Sequence, residues 1–154
     1  MMIHRKFMSA AITEAEKALQ NDDVPIGCVI TRDNEIIGKG FNRVEIDQNP
    51  TAHAELFAIN EAVKNIGHKH LLGCSIYVTL EPCSMCAGAI VLARAGNLFI
   101  GAQDTKTGAC GSIFNIPEDT NLNHKVNVYQ GIMEDECSQM LKDFFKELRA
   151  KKNA

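Results

Sequence analysis

No apolar run in the sequence approaches the roughly 18 to 20 residues that a bilayer-crossing helix needs. The longest, residues 87–93, is interrupted by Gly88 and ends at Arg94, so a membrane anchor of this kind is excluded. The start, Met1-Met2-Ile3-His4-Arg5-Lys6-Phe7, lacks an apolar core and a small-residue cleavage site, so it is not a secretory signal and a cytoplasmic location is expected. An excess of positive charge is missing too: 16 basic against 19 acidic residues leave −3, which disfavours a protein coated in nucleic acid through a global positive field. Internal repeats and low-complexity linkers are absent.

What is present is an ordinary globular composition, 45% hydrophobic and 23% charged over 154 residues, which predicts a single domain spanning 1–154. Helical spacing of Phe7, Ala11, Ala15 and Ala18 predicts a first helix over 7–20. Runs 27–31 and 35–40, flanking Arg32-Asp33-Asn34, predict a β-hairpin. Leu56, Ile59, Ala62, Val63 and Ile66 form one stripe of a helix within 51–65, ended by Gly67. The β-branched and aromatic run 75–80 is the clearest strand, and Pro82 beyond it suits the first turn of a helix reaching Ala93. Residues 97–102 and 126–129 read as further strands, separated by a glycine-rich loop at 104–112. From Glu134, the apolar residues Cys137, Met140, Leu141, Phe144, Phe145 and Leu148 predict an amphipathic helix docked by one face. Strands alternating with helices imply an α/β fold, a three-layer α/β/α sandwich around a central mixed sheet opened by an antiparallel hairpin.

The terminal stretch carries local charge: Lys142, Lys146, Arg149, Lys151 and Lys152 stand against Asp143 and Glu147, a surplus of three in an acidic chain. Its plainest reading is a solvated helix face; a basic ridge for RNA is the alternative. Of six cysteines, four sit singly among apolar or small neighbours, as Cys28 does in Ile26-Gly27-Cys28-Val29-Ile30, and behave as small hydrophobes. Only Cys83 and Cys86 are paired at ligand spacing.

The chemistry concentrates in two segments, His53-Ala54-Glu55 and Pro82-Cys83-Ser84-Met85-Cys86. A C-x-x-C at a helix start places both sulfurs on one face, where the dipole and free N–H groups stabilise thiolates. With one histidine they make three ligands for zinc and leave a fourth tetrahedral position open, which distinguishes a catalytic site from a closed structural one. Glu55 then serves as a base rather than a ligand, because residues i and i+2 of a helix do not share a face. A redox dithiol would leave His53 and Glu55 without a role. A structural site would need a fourth ligand; His68, His70 and His124 are the candidates, and the His68-Lys69-His70 turn reads as solvated.

H-x-E followed by P-C-x-x-C is the signature of zinc nucleobase deaminases. Residues 49–55 (NPTAHAE), 77–89 (YVTLEPCSMCAGA) and 104–112 (DTKTGACGS) resemble the bacterial tRNA-specific adenosine deaminase family, and the likeness runs from about Phe7 to Arg149. The resemblance implies a cytidine deaminase-like fold, conversion of the wobble adenosine of an arginine tRNA to inosine, homodimers and one zinc per subunit. It makes His53, Cys83 and Cys86 the ligands and Glu55 the proton shuttle. Asn42 would bond the flipped base, with Ile26 and Ala54 beside it, and Asp104, Lys106, Asn123, Phe145 and Arg149 would touch the anticodon loop. Read without the resemblance, Asn42 could be a turn residue, Asp104 a loop cap and Phe145 plain core. A metabolic guanine or cytosine deaminase would share the zinc site but have no need of the basic helix or the 104–112 loop.

Overall fold

The computed structural model describes residues 2–153. Strands β1 (Gly27–Arg32) and β2 (Glu35–Phe41) form the hairpin, turned by Asp33 and Asn34 at φ of 51° and 62°. A two-residue turn with both φ positive matches the strands' twist, and Asp and Asn tolerate it best after glycine. Strands β3 (Ser75–Leu80), β4 (Asn97–Ala102) and β5 (Asn127–Tyr129) complete one mixed sheet in the order β2-β1-β3-β4-β5. β1 is antiparallel to both neighbours, whereas β3, β4 and β5 run parallel.

Period-two alternation sorts the side chains into two cores. Cys28, Ile30, Ile76, Val78, Leu98 and Ile100 face helices α3 (Ala54–Ile66) and α4 (Ser84–Leu92). Val29, Tyr77 and Phe99 face α1 (Met2–Gln20) and the start of α5 (Glu134–Lys152), meeting Phe7, Met8, Ala11 and Cys137. The three-layer sandwich follows directly. On the first face α3 lies unusually close to β2: a Cβ on Gly40 would overlap the Ala54 carbonyl oxygen, and one on Gly38 that of Ala58. This contact fixes the start of α3, and with it His53 and Glu55, at the end of the sheet where β2 and β3 finish.

Four departures from the sequence expectation go beyond a single residue. α1 begins at Met2, five residues before Phe7. α3 begins at Ala54, not near Thr51, because the Asn49 side chain accepts the Thr51 N–H and hydroxyl, both at 3.0 Å, in a local turn that competes with helix. Pro82 precedes α4 instead of opening it, since its carbonyl is committed to the Ala109 N–H at 2.9 Å. Docking of α5 is confined to its first half: Cys137 is buried, but Phe145 and Leu148 are 41% and 36% exposed where the helix overruns the sheet. A one-turn helix α2 (Val44–Asp47), too short to show periodicity, also lies between β2 and α3.

Candidate active site

His53 and Cys83 occupy equivalent positions: each is the extended N-cap residue of its helix, and neither side chain caps that helix. Both are therefore free to turn toward the gap between α3 and α4, while Cys86 reaches it from the first turn of α4. His53 Nδ1 lies 3.6 Å from Cys83 Sγ and 3.5 Å from Cys86 Sγ. Tetrahedral zinc with Zn–S of about 2.3 Å and Zn–N of about 2.0 Å subtends an N···S edge of about 3.5 Å, so the three donors already stand at the spacing that ion requires. All three ligand atoms lie within 4.8 Å of one another.

The electrostatics fit a cation. The Cys83 thiol is pulled down to about 4, first by the hydrogen bond from Cys86 and then by His53, against the effect of burial. Cys86 is pushed up, as the donor of that bond and by its own burial. A metal bound between the two sulfurs would displace the proton of that bond. Hydrogen bonding to Cys83 raises the His53 imidazole. Glu55, in the first turn of α3 and only 4% exposed, is pushed by burial up to about 7, the range in which a carboxyl can both take and give a proton near neutrality.

His53, Cys83 and Glu55 open onto a cavity of about 260 Å³, whose walls include Ile26, Asn42, Ala54 and Asp104. Asn42 is buried and fully engaged as a donor: its Nδ2 donates to Asp23 Oδ1 at 3.0 Å and to the Val24 carbonyl at 3.2 Å. Its Oδ1 accepts the Val44 N–H at 3.3 Å, leaving one lone pair for the cavity. A second cavity of about 590 Å³ shares Val24, Leu80, Asp104 and Thr107 with the first and continues between Lys106, Lys142, Phe145 and Arg149. The Asp104 carboxyl at the junction is held below its usual range: burial works against this, but the Thr107 hydroxyl and the N–H groups of Thr107 and Lys106 outweigh it.

Of the sequence candidates, Asn123 alone stands apart, exposed in a bend and lining neither cavity. Lys106, Phe145 and Arg149 line only the larger one. His68 and His70 are in an exposed turn, the His68 ring bonded to the backbone of His70, and His124 Nε2 lies 2.7 Å from the Ala95 carbonyl. Two buried carboxylates escaped the sequence reading. Asp23 takes four hydrogen bonds, from Asn42 Nδ2 and the N–H groups of Val24, Glu45 and Ile46. Glu81 likewise takes four from the 104–112 loop. Each stands directly before a short motif, Asp23 before Val24-Pro25 and Glu81 before Pro82-Cys83, but that position alone does not tell an enclosed acid from a solvated one.

Residues 1–102 match the family model for the cytidine and deoxycytidylate deaminase zinc-binding region. The chain is 46% identical over 148 residues to the tRNA-specific adenosine deaminase of Bacillus subtilis (strain 168), covering 96% of this chain and 92% of that protein. A solved structure from studies of A-to-I editing by tRNA:A34 deaminases at the wobble position superimposes with a TM-score of 0.84 at 41% identity, over 88% of this chain and 99% of that one. The guanine deaminase from Nitrosomonas europaea shares the fold, with a TM-score of 0.79 at 20% identity over 91% and 83% of the two chains.

Proposed function

From the premise that the chain belongs to the cytidine and deoxycytidylate deaminase zinc-binding family, we propose that it hydrolyses the wobble adenosine of a tRNA anticodon loop to inosine. The observation that carries this reading is the continuity of the two cavities. The smaller, beside the His/Cys/Cys cluster, is large enough to enclose one base; the larger adds Lys106, Lys142 and Arg149, cations that a free purine bound in the smaller does not reach. A polynucleotide with one base turned inward occupies both.

Zinc held by His53, Cys83 and Cys86 would act as a Lewis acid on the attacking water. Glu55 takes a proton from that water and delivers it to N1 of adenine, which makes C6 electrophilic. Glu55 then takes the proton of the hydroxyl added at C6 and delivers it to the departing amine, which leaves as ammonia while the C6 oxygen becomes the carbonyl of inosine. Burial serves both transfers by keeping the carboxyl near neutrality and bulk water off it. Ile26 and Ala54 wall the base, and Asn42 offers its remaining lone pair to the base edge. Asp104, Lys106, Phe145 and Arg149 hold the flanking nucleotides, with Asn123 as an outlying contact. One cluster among the described residues supports one zinc per chain. The resemblance adds an arginine tRNA, a homodimer and a cytoplasmic setting to the proposal; among the described residues, no helix is long and apolar enough to cross a membrane.

The test is inosine formation on a tRNA with adenosine at the wobble position, against free adenosine, adenine, guanine and cytosine. Conversion of the tRNA alone is expected. Turnover of guanine or cytosine with an unaltered tRNA would replace this reading by that of a metabolic nucleobase deaminase.

A further inference from the structure

Glu81 is 3% exposed, makes no ion pair among the described residues and stands two residues before Cys83. Its Oε1 accepts the Asp104 N–H at 3.1 Å and the Ser112 hydroxyl at 2.5 Å; its Oε2 accepts the N–H groups of Cys110 and Ser112 at 3.0 and 3.1 Å. Four donors from one loop thus close on one carboxylate, with both oxygens used twice. The loop also closes sterically: a Cβ on Gly108 would overlap Glu81 Cδ and Oε2, so only glycine lets the backbone lie against the carboxylate. The next residue, Pro82, accepts the Ala109 N–H at 2.9 Å. The loop is thus tied at both its ends to the segment that carries Cys83 and Cys86, while its remaining polar groups bond mainly within the loop and to residues 113–116.

We propose that Glu81 is a positioning residue that sets the 104–112 loop in its RNA-binding form relative to the reacting centre. This rests on the function proposed above and deepens it. Asp104 and Lys106, which contact nucleotides in that reading, hang from the first of the four bonds, so their distance from Glu55 is decided at Glu81 rather than within the loop. The role is recognition: the loop touches flanking nucleotides, not C6. Freeing the loop therefore weakens binding of the folded substrate more than it slows the chemical step.

The experiment measures kcat and KM of the zinc-loaded protein on an anticodon stem-loop, for the parent, Glu81→Gln and Gly108→Ala, with zinc content by elemental analysis. Glutamine keeps the volume but turns an NH2 group toward two of the donors, and alanine at 108 drives the loop off from the other side. Each is expected to raise KM about tenfold or more, the scale of one lost hydrogen bond to a charged group, with kcat within about threefold and zinc retained. Combining them should add little, because both release the same loop. Unchanged KM in either variant, or kcat falling in step with zinc content, overturns the proposal, the latter making Glu81 a strut of the metal segment. A parent protein that leaves the stem-loop unaltered would instead defeat the underlying function.

Discussion

His53 and Glu55 are two apart in sequence yet open onto one cavity, because the helix begins between them. His53, as N-cap, is still extended, and its ring is not bound by the 100° step that separates helical neighbours. That resolves how a ligand and a proton carrier can sit at i and i+2. It also separates their roles. Glu55→Ala should retain zinc by elemental analysis while kcat falls by at least about a hundredfold, the ordinary contribution of a positioned acid-base group. Loss of the metal in that variant would make Glu55 a ligand.

The elements differ in how much of their behaviour a linear reading could reach. α3 announces itself through periodicity, the strand over 75–80 through its β-branched and aromatic run, and the thiolate pair through its spacing, since each depends on residues within a few positions. Asp23 and Glu81 do not, because all their partners but Val24 lie 19 to 31 residues away and an acid beside a motif looks the same whether solvated or enclosed. The terminal helix shows the opposite failure. Its apolar stripe runs to Leu148, but periodicity cannot tell where the supporting sheet stops, and the second half of α5 projects past it with Phe145 and Arg149 on the wall of the larger cavity. Replacing Lys142, Lys146 and Arg149 by glutamine should weaken tRNA binding and flatten its dependence on salt by ~0.7 in log–log slope for each phosphate that the helix no longer neutralises. A titration at several salt concentrations measures this, and an unchanged slope would return the helix to a solvated face.

Across the whole molecule, the candidate metal site joins two helices that the chain reaches 30 residues apart, each already seated on the sheet. A ligand bound only by the folded state adds RT ln(1 + [L]/Kd), about 2.7 kcal/mol at a hundredfold excess over Kd. Chelation should therefore lower the melting temperature by roughly 5 °C or more, readable by calorimetry, with recovery on adding zinc. A melting point indifferent to chelator would mean that the cluster holds no metal in the folded protein. The seam beneath α3 bears on how such a protein can change over evolutionary time. Gly38 and Gly40 meet Ala54, Ala58 and Ala62, so each side is already near the smallest residue available. Most core positions drift by exchange, one side chain growing as its neighbour shrinks, but this seam has almost nothing left to shrink. Lineages descended from such a sequence can remodel the 104–112 loop and the end of α5, and with them the choice of substrate, while the glycines under the reacting centre stay locked.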